Sequence, residues 1–265
     1  MRTIARALTR DRHSPVADRR LGMLLAFVAG ATNAGGFLAV GQYTSHVTGM
    51  VSSIADHLVL GQVALAASAA MSVAMFLLGA VTTSLIVSWG RRRHLRSRHA
   101  LPLLLEAVLL LGFGALGSSV EQHVVVLPVT VVLLCFTMGL QNAVITHISN
   151  AVIRTTHLTG LLTDLGIELG KLLYVNRSQH EAPVKADPAR LGLQASLIGM
   201  FAAGAGFGAV GFKVLGYGVT IVLAVALLTV CWRPIADDVR IWRRVSAWPA
   251  RRGQVRWGAG RAQPR

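Results

Sequence analysis

Residues 44–49 read Thr44-Ser45-His46-Val47-Thr48-Gly49, and residues 155–160 read Thr155-Thr156-His157-Leu158-Thr159-Gly160. Each stretch follows an Asn-Ala pair, Asn33-Ala34 and then Asn142-Ala143, and each begins where a strongly apolar segment stops. A second likeness runs alongside. Met75-Phe76-Leu77-Leu78-Gly79-Ala80 parallels Met200-Phe201-Ala202-Ala203-Gly204-Ala205. The step between copies is 109 at the Asn (33 to 142), 111 at the His (46 to 157) and 125 at the Gly (79 to 204). The last increase falls in a proline-containing stretch before residue 190. The chain therefore reads as an internal duplication.

The duplicated units are those of a membrane protein. Hydrophobic residues make up 53% of the 265 and charged residues only 14%, against about a quarter charged in soluble domains. Apolar runs approach or exceed the roughly 20 residues needed to cross a bilayer as helix. The spacing predicts six spans, at about 21–41, 62–89, 100–117, 124–145, 191–212 and 215–232. Glycines in the second half of the first span, Gly30, Gly35 and Gly36, predict a loose or broken helix there. Short helices are expected after spans one and four, at 50–60 and 161–174.

The net charge of +15 does not call for nucleic acid. The basic residues cluster at the termini and between apolar runs, where topology rules put them. Arg91-Arg92-Arg93, Arg96 and Arg98 follow span two, whereas the turns after spans one and three carry no Lys or Arg. Lys213 is a lone exception after span five. Both termini are thus expected in the cytoplasm of a bacterial cytoplasmic (inner) membrane. The first span reads as a retained signal-anchor, without a cleavage pattern. Three spans per unit send the second unit into the membrane from the opposite side. The expected fold is all-α, six-span, with a 3+3 inverted repeat and broken or re-entrant helices after spans one and four. Its parts are an Arg-rich tail (1–20), a membrane domain (21–232, repeats 21–117 and 124–232) and a second Arg-rich tail (233–265).

Chemistry is expected at the duplicated stretch. Hydroxyls and a glycine ahead of a helix suit an N-terminus, where free backbone N–H groups favour negative charge. Asn33, Thr44, Ser45, His46, Thr48 and Gly49 are expected to face Gln141, Asn142, Thr155, Thr156, His157, Thr159 and Gly160 across a pocket for a small polar or anionic solute. Ordinary capping is the plainer reading, but it does not require a His in both copies. Glu106 sits among Leu and Val in the third span, where an ionisable group is costly. It is a candidate for proton or ion coupling, as are Asp164 and Glu168, four residues apart. The same spacing also suits a surface ion-pair helix with Lys171.

Cys135 and Cys231 both lie in apolar runs, as small buried hydrophobes. No metal-ligand spacing, nucleophile elbow or cofactor motif is present, so no catalytic residue, metal or cofactor is expected. Beyond Trp232, Ile241, Val245 and Trp248 recur at helical spacing beside arginines. That segment suits either a helix lying on anionic lipid or a disordered basic tail.

The combination Gly30-Ala31-Thr32-Asn33-Ala34, Ser45-His46-Val47-Thr48-Gly49, Gly139-Leu140-Gln141-Asn142-Ala143 and Thr155-Thr156-His157-Leu158-Thr159-Gly160 resembles the YoaK family, bacterial proteins carrying domain of unknown function 1275. The resemblance covers about 21–232. It implies a six-span inner-membrane protein and supplies no substrate or catalytic residue. The expected function is a small secondary transporter or permease, since inverted repeats with interrupted helices are a recurring transporter design. A channel, or a scaffold binding lipid or a partner through its tail, is the alternative, and an intramembrane enzyme the weaker third. A homodimer is compatible with the sequence.

Overall fold

The computed structural model describes residue 8 and residues 15–117, 126–177 and 182–246. These form eight α-helices and no strand: α1 (Pro15–Val40), α2 (Val47–Val59), α3 (Val63–Arg92), α4 (Ala100–Gly117), α5 (Val126–Ser149), α6 (Leu158–Leu173), α7 (Pro188–Leu215) and α8 (Val219–Ser246). A single 3-10 turn, Gly216–Gly218, joins α7 to α8.

Among the described residues, four stretches can by length and composition cross a membrane: Pro15–Ala39, Val63–Arg92, Val129–Ser149 and Pro188–Ile241. The last holds both α7 and α8. Ala100–Ala115, within α4, is apolar but shorter. The distribution of burial is informative. The two more apolar stretches are the less buried, 22% for α3 and 39% for Pro188–Ile241, against 61% for Pro15–Ala39. Leu77, Leu78, Leu85, Val210, Val214 and Trp232 stand at least half exposed. Water would penalise such a surface by about 25 cal/mol per Å², whereas hydrocarbon would not. The helices are those of a multi-pass membrane protein in contact with lipid.

The packing pairs the early half with the late half. α1 lies along α7, α3 along α5 and α4 along α8, while α2 rests on α3 and α6 on α7. A Cβ on Gly30 would run into the backbone of Phe201 and Ala205, and one on Gly204 into that of Phe27. At the other crossing, Gly139 abuts the backbone of Phe76, and Gly79 that of Phe136 and Leu140. The same four contacts recur at the sequence offsets: 30 and 27 plus 109 give 139 and 136, and 76 and 79 plus 125 give 201 and 204. In lipid there is little hydrophobic drive between helices, so close backbone approach through small residues supplies the adhesion.

This also corrects the expectation of a broken first span. α1 is one continuous helix through Gly30, Gly35 and Gly36. The glycines make room for neighbours, Phe212 in the case of Gly35, and do not interrupt hydrogen bonding.

Directions follow from the contact pairs. α1 and α7 run parallel, with Gly22 beside Leu197 and Gly35 beside Phe212. α3 and α5 run parallel, from Ser72 beside Cys135 to Thr83 on the Leu140 carbonyl at 3.0 Å. α1 opposes α5, with Gly22 against Ile153 and Gly36 against Leu134. α4 and α8 run antiparallel, from Gly117 on Tyr217 to Ser97, whose amide donates to Asp238 at 2.8 Å.

The last helix continues past Trp232 to Ser246, with Pro234 inside it. Asp238 anchors this extension by accepting from the backbone N–H of Arg96 and Ser97. The segment to Ser246 is thus helix, and as far as Asp238 it is tied to the α3–α4 turn. Trp248 and the remaining tail arginines lie outside the described residues, as do most of residues 1–14 and residues 118–125.

Candidate functional site

The duplicated stretch starts α2 and α6. α1 ends at Gly41, whose N–H bonds back to the Phe37 carbonyl at 2.8 Å and whose φ of 72° suits a glycine helix stop. The chain then returns toward α1. Asn33 Oδ1 accepts from both the backbone N–H (3.2 Å) and the hydroxyl (2.9 Å) of Ser45. In the second copy Asn142 Oδ1 accepts from the hydroxyls of Thr156 (2.8 Å) and Thr155 (3.5 Å). Each Asn of an Asn-Ala pair therefore clamps the stretch that follows it.

The capping differs from the sequence expectation. The N-cap residues are His46 and His157, at φ −89°, ψ 65° and φ −84°, ψ 57°, and neither side chain makes a capping bond. Ser45 and Thr156 stand one residue before the cap, and their hydroxyls donate to the clamping Asn side chains. Each imidazole lies over the glycine three residues on. A Cβ at Gly49 would stand 2.8 Å from Cε1 and Nδ1 of His46, and one at Gly160 would strike the His157 ring. The His-x-Thr-Gly spacing is thus a packing rule: glycine at the third helical position leaves space for the ring. The first-turn N–H groups, which have no partners within their own helix, stay uncapped by these side chains.

The two copies meet. One open cavity of about 560 Å³ is lined by Asn33, Ser45, His46 and Thr48 from the first copy and by Asn142, Thr156, His157 and Thr159 from the second. Val47 and Leu158, Phe76 and Phe201, and Tyr43 and Arg154 complete it, with Thr146. Except for Thr146, every lining residue has its counterpart at the sequence offset on the opposite wall. His46, Thr48, His157 and Thr159 are exposed to this space.

The counterparts are alike except at one position. Tyr43 corresponds to Arg154 (43 plus 111), and Arg154 is the single charged residue of the lining, which holds no carboxylate. Its Nη1 lies 3.4 Å from His157 Nδ1. A guanidinium only donates, so in this contact Arg154 is the donor and His157 Nδ1 the acceptor. Arg154 and Tyr43 were not legible as site residues. Extending the repeat alignment two positions upstream of Ser45 and Thr156 would have found them. Phe76 and Phe201 already lay in the second repeated segment.

Other sequence candidates sit elsewhere. Thr44 and Thr155 are buried behind the cavity, and the Thr44 hydroxyl is unpaired. Gly49 and Gly160 serve the histidines. Gln141 faces Glu106 in the interior, away from the cavity.

Asp164 and Glu168 line a separate cavity of about 360 Å³ with Lys171, Arg190 and Gln194. There Glu168 is held at both oxygens, by Lys171 Nζ at 2.8 Å and by the Asp187 N–H at 2.8 Å. The Lys171 bond and then the Asp187 N–H keep its carboxyl below the usual range. Its counterpart is His57 (57 plus 111), which contacts Gln62, the N-cap of α3, at 2.7 Å. Asp187 is likewise the N-cap of α7. His57 lines a matching cavity of about 400 Å³ with Ser53 and Ser68. That cavity shares Tyr43 and His46 with the central one, whereas the cavity at Glu168 shares no residue with it.

Residues 21–232 match the family described as Protein of unknown function (DUF1275), and the chain belongs to that family. No curated protein matches the chain, and no solved structure does.

Proposed function

We propose that this member of the DUF1275 family is a small secondary transporter of the bacterial cytoplasmic membrane, working on a small polar or anionic solute. The observation that carries the reading is the convergence of both His-x-Thr-Gly copies on one cavity built of repeat-related pairs. Six spans in a 3+3 inverted arrangement fit the opposed α1 and α5 and the interlocked halves. The arginines after α3 and around α1, α5 and α7 then mark the cytoplasmic end. Transporter sites of this architecture lie at the repeat interface, with helix ends aimed at the solute.

The lining favours an anion. Arg154 supplies a planar set of donors, two uncapped helix N-termini add partial positive charge, and no carboxylate opposes them. Asn33, Asn142 and the hydroxyls of Tyr43, Ser45, Thr48, Thr146, Thr156 and Thr159 offer neutral hydrogen bonds, while Phe76 and Phe201 wall the space with apolar surface. Alternating access follows from the two flanking cavities. In this conformation Tyr43 and His46 line both the central space and the cavity at His57. Exchange of that shared lining for its counterpart at Arg154 and His157 would open the other end.

The test is a thermal-shift screen of the purified protein against nitrate, phosphate, acetate and neutral amino acids, followed by uptake of any stabilising solute into proteoliposomes. Binding should weaken in Arg154→Ala, and uptake should collapse in His46→Ala and His157→Ala. Unchanged uptake in both folded His variants would refute a shared solute cavity. Currents that do not saturate with solute would make the protein a channel.

A further inference from the structure

Glu106 lies midway along α4 with no exposed surface, and neither of its oxygens has an aligned hydrogen-bond partner. Facing it from α5 is Gln141, equally buried, with its amide nitrogen and oxygen both unpaired. From α8 comes the thiol of Cys231. No basic side chain forms an ion pair with Glu106 among the described residues. The surroundings are otherwise aliphatic: Leu103, Ala107 and Leu110 belong to the main core, as do Leu140 and Leu227.

Native interiors pair their buried polar groups. An ionised carboxylate without a counter-charge in such a place is far costlier than the neutral acid. A structural hydrogen bond would account for an aligned pair, but these two side chains adjoin without alignment. The position has one further consequence. The residue after Gln141 is Asn142, which lines the central cavity and clamps Thr156.

We propose that Glu106 carries a proton as the neutral acid in this conformation and forms, with Gln141, a buried proton site coupled to the central cavity through α5. When water reaches the pair, the O–H bond of the acid breaks and its proton passes to water. The carboxylate left behind accepts from the Gln141 amide N–H. Return to the buried state takes one proton from water on the side then open. The coupling, but not the buried proton, rests on the transporter reading.

Infrared difference spectroscopy of the full chain in lipid at neutral pH tests the proton directly. The expected result is the carbonyl stretch of a protonated carboxylic acid, abolished in Glu106→Gln and shifted in Gln141→Leu. No such band, or a band that survives in Glu106→Gln, would overturn the proposal. So would a sodium-dependent rise in melting temperature that disappears in Glu106→Gln, because the site would then hold a cation. In proteoliposomes loaded with a solute found by the screen, Glu106→Gln should lose accumulation driven by a proton gradient while keeping solute exchange. Unchanged accumulation would overturn the coupling. A screen that finds no bound solute counts against the transporter reading alone, and the infrared band still decides the proton.

Discussion

Replacing Gly139 by Ala should separate two helices whose backbones now touch. The new Cβ would meet the Phe76 carbonyl oxygen and stand 2.7 Å from its carbonyl carbon, whereas ordinary contact begins at 3.4 Å. The obstructing atoms are backbone, so no rotamer change relieves them, and α3 and α5 must part by at least about 0.7 Å, the difference between those two values. A gap of ~0.5–1 Å forfeits a quarter to a half of each contact's dispersion well. Overpacking of this kind costs typically ~1–3 kcal/mol, and a backbone obstruction belongs at the upper end. The better helix propensity of Ala returns up to about 1 kcal/mol. The net loss is about 2 kcal/mol, roughly a 30-fold shift in the folded-to-unfolded ratio. Equilibrium unfolding in mixed detergent micelles, followed by tryptophan fluorescence, would read it. Gly30→Ala should give the same loss, because the Phe201 and Ala205 backbones stand in the equivalent place. Gly112→Ala and Gly206→Ala are the controls, since nothing lies within 4 Å of either new Cβ, and they should be neutral or slightly stabilising. A Gly139→Ala protein as stable as the Gly112→Ala protein would refute the close-packed crossing.

Three further outcomes are expected. Asn33→Ala removes both bonds to Ser45 and should cost about 1–2 kcal/mol, with faster hydrogen exchange at the Ser45 amide. Unaltered exchange would mean the clamp is inert. Thr83→Val removes the buried bond to Leu140 at nearly constant volume and should cost about 1 kcal/mol in the same unfolding assay, with no loss if the bond contributes nothing. The carboxyl of Glu168 is depressed below its ordinary value of 4.5. Its stabilisation is therefore complete above that pH and lost as pH falls through the lower folded value. Melting temperatures taken downward through pH 4.5 should fall less steeply in Glu168→Gln than in the parent, and identical profiles would remove Glu168 from the acid dependence.

The helical plan is legible in the residues because its causes are local. Apolar runs, Arg clusters and the step from 109 to 125 are all readable along the chain, and α4 falls at 100–117 as its pattern predicts. Boundaries set by capping leave a weaker mark in the sequence. α7 starts at Pro188 because Asp187 accepts from the N–H groups of Ala189 and Arg190, three residues before the apolar run begins. α8 outlasts its apolar run because Asp238 is fastened to the α3–α4 turn. The glycines of α1 looked like breaks because one chain does not show which backbone will lie against them. Among site residues, the repeat betrayed His46 and His157, but Arg154 escaped because its counterpart is the dissimilar Tyr43.

The sequence by itself determined that the chain is largely apolar, carries the His-x-Thr-Gly stretch twice, and is built of helices. Periodicity and composition act over a few turns, so a linear reading recovers them. Only the tertiary structure decided that each half packs on the other, with α1 on α7 and α3 on α5. That packing brings stretches 111 residues apart (46 to 157) onto the walls of one cavity, and sets Gln141 against Glu106 while Asn142, the next residue of the same helix, lines the cavity. Such neighbours are made by backbone contact at Gly30, Gly79, Gly139 and Gly204, a matter of which surfaces fit at close range, and that fit has no signature in any one segment.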